Sequence, residues 1–198
     1  MASSGVDTKR RRFLIAATSV VGAVGVAPLA WAFIGSMNPS ARALAAGAPV
    51  EIDVSKLEAG QLTRSLWQGK PVWVVNRTPE MLAALPTLDN SLRDPNSDIL
   101  TQQPEYAKNA TRSRKPEYVV LIGICTHLGC SPTFRPEVAP ADLGAEWKGG
   151  WLCACHGSRF DLAGRVYKNV PAATNLVVPK HYYKTDSVIL VGLDGDKA

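Results

Sequence analysis

The chain has 198 residues, 46% hydrophobic and 20% charged, enough for one domain or for one domain with an appendage. Basic residues outnumber acidic ones by 22 to 17, but part of that excess is the block Lys9-Arg10-Arg11-Arg12, and the remainder is nearly balanced. This distribution fits a topology signal plus a mixed solvated surface, not a nucleic-acid partner; no Gly-x-Gly-x-x-Gly or Walker-type phosphate loop occurs.

Residues 1–12 read as a cytoplasmic segment. Arg10-Arg11-Arg12-Phe13-Leu14 looks like the twin-arginine export signature, with Arg12 in its variable slot. That route carries folded proteins and suits a domain loaded before export. No ionisable side chain follows until Arg42. The most apolar part, residues 13–34, spans about 33 Å as a helix, close to the hydrocarbon thickness of a bilayer. Gly22, Gly25 and Pro28 weaken a helix in water but are tolerated in a membrane. The preceding basic block stays in the cytoplasm, which places the chain beyond Trp31 on the periplasmic side of a bacterial inner membrane as a single-pass protein. A cleaved signal peptide is the competing reading, with Ala43-Leu44-Ala45 imitating a processing site. The apolar run is longer than a usual signal core, and this favours a retained anchor. Residues 35–49, rich in Ala, Gly, Pro and Ser beyond Asn38, read as a flexible neck, partly helical through its alanines; a passive spacer has the same composition.

The soluble part is expected over 50–198. Glu51-Ile52-Asp53-Val54 alternates as a half-buried strand does, and Val72-Trp73-Val74-Val75 suits a buried strand. Thr78 caps a short helix with Pro79 at its first position; Met81, Leu82 and Leu85 share a face, and Pro86 ends it. Residues 87–115 form a polar excursion without a convincing strand. Residues 117–124 make the strongest strand and deliver the backbone to Cys125. Further candidates are Trp151-Leu152, Arg165-Val166-Tyr167, Leu176-Val177-Val178 and residues 188–191. The expected fold is therefore mostly β: a transmembrane helix, then an antiparallel sandwich or partial barrel, with an inserted metal-binding subdomain over about residues 124–175.

Two stretches carry the chemistry: Cys125-Thr126-His127-Leu128-Gly129-Cys130 and Cys153-Ala154-Cys155-His156-Gly157-Ser158. They hold all 4 cysteines and two of the 3 histidines. The pattern C-x-H-x-x-C with C-x-C-H is the ligand set expected of one 2Fe–2S cluster, with Cys125 and Cys153 on one iron and His127 and His156 on the other. Cys130 and Cys155 are then expected to form a disulfide, which a location outside the cytoplasm permits. Gly129 and Gly157 allow close backbone approach, and Ser158 can aim its hydroxyl at a sulfur. Structural zinc competes for the same residue types, but zinc fingers pair cysteines with cysteines and histidines with histidines, whereas each loop here supplies one of each. All-structural cysteines with idle histidines are the remaining alternative.

At these loops the chain closely resembles the Rieske iron–sulfur subunit of the cytochrome bc1 complex, ubiquinol–cytochrome c reductase, of proteobacterial type. The resemblance runs over the export segment, the anchor, the Gly69-Lys70-Pro71-Val72 strand entry, both loops and the later proline loop. It implies a proton-translocating oxidoreductase of respiratory electron transport, working as a dimeric complex with cytochrome b and cytochrome c1 and without nucleic acid. His127 and His156 are implied at the tip, with His156 favoured for contact with ubiquinol, and Leu128 as an apolar cap. The small Rieske subunit of an arsenite-oxidase-like enzyme is the alternative and needs no retained anchor. Two departures stand out. Phe160 occupies a place often held by tyrosine and is expected to pack beneath the cluster, with a lower potential as a consequence. Pro171 keeps the proline loop over the cluster, but Ala173 replaces a second proline. His181, the third histidine, reads as an ordinary edge or surface residue.

Overall fold

The computed structural model describes Gly5 and residues 7–195. Residues 1–4 and 6 of the expected cytoplasmic segment, and 196–198 of the expected head, lie outside the described residues. The chain divides into two compact units, Met1–Ala45 and Ala46–Ala198.

In the first unit, helix α1 runs over Thr8–Ser36. It begins before the apolar stretch because the Asp7 carboxylate accepts the backbone N–H groups of Lys9 and Arg10, an N-cap that draws the basic block into the first turns. Pro28 lies inside the helix without ending it. The helix is long and apolar enough to cross a membrane. A second short helix, α2, spans Ala41–Ala46 in the alanine-rich stretch, with Ser40 Oγ accepting from Ala43 N–H.

The second unit is built from three antiparallel three-stranded sheets. Strands β1 (Val50–Asp53), β2 (Leu62–Trp67), β3 (Lys70–Asn76), β4 (Tyr118–Ile122), β5 (Thr133–Arg135), β6 (Gly150–Cys153), β7 (Ser158–Asp161), β8 (His181–Thr185) and β9 (Val188–Val191) follow in chain order. The sheets are ordered β1-β9-β8, β2-β3-β4 and β5-β6-β7. The β2-β3-β4 sheet is the middle layer. Successive strand residues face opposite ways, so Val72, Val74, Val120 and Ile122 pack with Ile52, Ile189 and Val191. Trp73, Val75, Val119 and Leu121 pack on the other side with Trp151, Phe160, Cys125 and Cys153. Burial on both faces explains why β3 and β4 read as continuous apolar runs. The Trp73 and Trp151 rings stack at 5.8 Å and 4°, joining the middle sheet to the β5-β6-β7 sheet. Gly123 makes room for this stack, because a Cβ there would lie 2.2 Å from the Trp73 ring.

Helix α3, Pro79–Ala84, is capped by Thr78 Oγ1 as expected. Leu85, with Met81 and Leu82 beside it, packs on Leu162 and Ala163. Pro86 ends the α-helix and opens a 3₁₀ turn over Leu85–Ser91. The excursion after it holds two more 3₁₀ turns and, among the described residues, no strand.

Three expectations need correction. Leu176-Val177-Val178 is not a strand: Leu176 N–H donates to Gly164, Val177 O accepts from Ile122 and Val178 N–H donates to Gln102, so its backbone bonds go to three segments and form no ladder. Arg165-Val166-Tyr167 makes only isolated bridges, Phe160 to Val166 and Leu92 to Tyr167. His181 does open the edge strand β8, but it is fully buried, not on the surface.

His181 Nδ1 lies 2.8 Å from Pro179 O, a donor geometry that leaves Nε2 unprotonated; Nε2 is buried without a partner among the described residues. Burial lowers its pKa from 6.5 to about 4, partly offset by the Pro179 bond, with the Arg114 charge lowering it and Asp194 raising it. The unfolded chain therefore binds this proton first. Stability is complete above pH 6.5 and is lost as pH falls toward 4, levelling off below that. The loss attributable to this ring is about 2–3 kcal/mol between pH 7 and 4.5. Denaturant unfolding at both values should show that difference shrinking in His181→Phe; an unchanged difference contradicts it.

Candidate metal centre

Two loops carried by different sheets meet at one end of the head. The first leaves β4 and runs from Cys125 to Cys130. Cys125 N–H donates to Cys130 O at 2.7 Å, and Gly129 N–H donates to Cys125 O at 3.1 Å. The second is the turn of the β6–β7 hairpin, where Cys153 pairs with Ser158 and Gly157 N–H donates to Cys153 O at 2.9 Å. Gly129 and Gly157 adopt φ of +85° and +77°, left-handed conformations that a Cβ disfavours. Both turns are sharp for that reason.

A disulfide joins Cys130 to Cys155 and so staples one loop to the other. Cys125 and Cys153 remain as free, buried thiols. Burial, and then the neighbouring Cys125 thiol, push the Cys153 thiol above its ordinary pKa. The His127 and His156 rings meet edge to face with centroids 4.7 Å apart; His127 is half-buried and His156 exposed. The sulfurs of Cys130, Cys153 and Cys155 lie within 4.8 Å of one another. This sulfur-rich site is consistent with Rieske-type metal binding, although two of those three sulfurs are already bonded to each other.

Ser158 is buried, and its Oγ accepts from Ala172 N–H at 3.0 Å, which leaves the hydroxyl proton free to donate elsewhere. Register places Cys153 opposite Ser158 and Trp151 opposite Phe160, so all four side chains share one face of the hairpin. Phe160 is fully buried there, in the core that holds both free cysteines. Leu128 stands 72% exposed. Pro171 is exposed, and the buried anchor of its loop is the next residue, Ala172. Thr126 Oγ1 donates to Thr174 O at 2.6 Å and ties the first loop to the same segment. Thr126 lies inside the first motif without a role that spacing assigns to it, and an alanine valued for its N–H, as Ala172 is, leaves no sequence signal.

The fold and its paired loops define a Rieske-type iron–sulfur protein: residues 103–182 match the Rieske [2Fe-2S] domain family, and residues 1–40 match the Ubiquitinol-cytochrome C reductase Fe-S subunit TAT signal. A relative from Allochromatium vinosum is 66% identical over 198 residues, covering 100% of this chain and 95% of its own length. Relatives from Blastochloris viridis and Rhodospirillum rubrum are 42% and 41% identical, covering 97% and 95% of this chain and 98% and 94% of their own. All three bear the name ubiquinol-cytochrome c reductase iron-sulfur subunit. A chain of the solved "Hyperthermophilic respiratory Complex III" aligns with a TM-score of 0.49 and 24% identity, over 87% of this chain and 96% of that one. The chain belongs to the family of ubiquinol-cytochrome c reductase iron–sulfur subunits. It is a bacterial inner-membrane protein with one N-terminal transmembrane helix and a periplasmic Rieske domain.

Proposed function

We propose that this chain takes one electron from ubiquinol at the cytochrome b oxidation site and passes it to cytochrome c1, as one subunit of a dimeric bc1-type complex. The observation that carries the reading is the donor set. Two adjacent buried thiols, Cys125 and Cys153, lie in the core. Two imidazoles lie together in the same pair of loops, where His156 reaches solvent. Soft sulfur donors at the buried end and neutral nitrogen donors at the wet end suit a 2Fe–2S cluster with Cys125 and Cys153 on one iron and His127 and His156 on the other. When bound, such a cluster supplies a one-electron acceptor whose potential is raised because imidazoles replace two thiolates.

The protein's own residues do the rest. His156, the more exposed ring, accepts the hydrogen bond and then the proton of a docked quinol hydroxyl, with His127 beside it. Leu128 offers an apolar tip that fits a lipid-soluble substrate's pocket and excludes water from the contact. Ser158, already anchored by Ala172, donates its free O–H toward sulfur and stabilises added negative charge. Gly129 and Gly157 bring backbone close to the same atoms, and the loop of Pro171 covers them. Residues 1–12 remain in the cytoplasm, 13–34 anchor the chain, and 35–49 let the head at 50–198 travel between its two partners, with 124–175 as the cluster-bearing part.

The chain should co-purify from membranes with b- and c-type hemes. Quinol-driven reduction of heme c should disappear on deleting the chain and return on re-expression; persistence after deletion contradicts the proposal. Phe160→Tyr adds a hydroxyl on the hairpin face shared with Cys153 and Ser158. Its donation toward sulfur should raise the midpoint potential in voltammetry, and an unchanged potential overturns the role given to this position.

A further inference from the structure

Three arginines are buried within this head: Arg77, Arg112 and Arg165, each at most 2% exposed. Arg165 binds Asp161. Among the described residues the other two touch no carboxylate and donate to neutral oxygens, with Arg112 Nε left buried and unpaired. Arg77 directly follows β3 and donates from Nη1 to Leu162 O at 3.2 Å and Thr111 O at 2.9 Å; it also reaches Pro116 O and Ser113 Oγ. Arg112 lies on the approach to β4 and donates to Ala163 O at 3.0 Å, Leu176 O at 2.8 Å, Gln102 O at 3.3 Å and Gln103 Oε1 at 3.1 Å. Its backbone sits at φ +49°, a left-handed conformation costing about 1 kcal/mol for a side chain of this kind. Burying a guanidinium without a contacting anion is costly, and burial lowers both pKa values to about 10. Both cations persist at neutral pH.

Three of the six backbone carbonyls they grip, those of Leu162, Ala163 and Leu176, belong to segments that carry the metal-binding loops. Leu162 and Ala163 follow β7 and so end the hairpin that carries Cys153 and His156. Leu176 ends the segment whose Ala172 and Thr174 bind Ser158 and Thr126. Both arginines flank strands of the middle sheet, whose β4 delivers Cys125 and His127. The two halves of the site therefore hang on different sheets, stapled at the tip by the disulfide and bridged at the foot by two guanidinium forks.

We infer that Arg77 and Arg112 are positioning residues of the metal centre, fixing the separation of its two loops from the opposite end of the hairpin. The inference rests on the cluster assignment above. A lysine keeps the charge, but its single ammonium cannot span several fixed carbonyls as a planar fork does. With the foot loosened, the hairpin rocks about the disulfide, and the paired thiols and paired rings lose their fixed spacing.

The test compares Arg77→Lys and Arg112→Lys with Ile189→Ala, which loosens the core beneath the β1-β9-β8 sheet, away from the loops. Each is purified as the full chain in detergent and followed by thermal melting, voltammetry, electron paramagnetic resonance of the reduced protein and iron release to a chelator. The arginine variants should shift the potential, broaden the g-spread and release iron about 10-fold faster, while Ile189→Ala lowers the melting temperature with spectrum and potential unchanged. If the arginine variants lose only melting temperature, or if Ile189→Ala perturbs the spectrum equally, the inference fails. If they do not fold, Ser113→Ala, which removes one acceptor of Arg77, should broaden the signal less but measurably, and an unaltered signal sinks the inference. A wild-type protein without the signal of a histidine-ligated cluster would instead defeat the cluster assignment itself.

Discussion

Cys155→Ser should yield a folded head that fails to keep its metal. The Cys130–Cys155 bond closes a separation of 25 residues and links loops that no shared sheet connects. In the chain-entropy account such a link contributes about 3.5 kcal/mol to stability, a large share of the roughly 5–15 kcal/mol typical of a domain. The middle sheet and its two apolar cores do not depend on the bond, so strand content should survive. At the tip the loss is larger, because the first loop is otherwise held by the Thr126–Thr174 bond, the His127–His156 ring contact, the burial of Cys125 and its own backbone. Freed Cys130 would also compete as a thiolate close to Cys153. Iron and acid-labile sulfide per chain should fall to a small fraction of wild type, with near-wild-type far-ultraviolet circular dichroism. Full iron content in the variant would contradict this.

The second large effect is expected at Asp161. Its carboxylate is fully buried; Oδ1 accepts from Ala163 N–H and Arg165 N–H, and Oδ2 from Arg165 Nε at 2.8 Å. The same charge also raises the pKa values of Arg77 and Arg112 against the effect of burial. One anion thus serves three buried cations. Asp161→Asn preserves the shape but removes that charge, so Arg165 loses its buried partner. Breaking a buried pair from one side costs about 3–5 kcal/mol, and although Arg165 Nη1 keeps its 2.8 Å contact with the half-exposed Asp89, the denaturation midpoint should fall sharply. The exposed pair Arg135–Asp142 is a ready control. It is bidentate, with both contacts at 2.9 Å, yet lies in solvent, where such pairs contribute little. Asp142→Asn should barely move the denaturation midpoint. A small effect at Asp161, or comparable effects at both positions, would refute the argument.

Legibility from sequence followed the physics of burial. The apolar runs of β3 and β4 were readable because each is covered on both faces, and β1 because Ile52 and Val54 alternate with exposed Glu51 and Asp53. Strand β7 is not readable: Ser158-Arg159-Phe160-Asp161 looks like a loop, since Ser158 and Asp161 are buried for their hydrogen bonds and not for hydrophobicity. Edge strand β2 alternates only weakly between half-buried and exposed positions. Leu176-Val177-Val178 misled in the opposite sense, because apolar packing alone does not make a ladder. At the site, cysteine and histidine spacing identifies the chemistry, as soft donors at fixed intervals have few other uses. Arg77, Arg112 and Arg165 read as solvated charges, because what makes them structural is a set of distant carbonyls that only the folded chain assembles.

The centre proposed for these loops is a pair of irons held by two thiolates and two imidazoles. X-ray absorption and Mössbauer spectroscopy of the purified protein test it most directly. Two irons per chain, bridging sulfide, and both sulfur and nitrogen neighbours are expected, with one iron converting to the ferrous state on one-electron reduction. A single metal atom per chain, or coordination by sulfur alone, would contradict it.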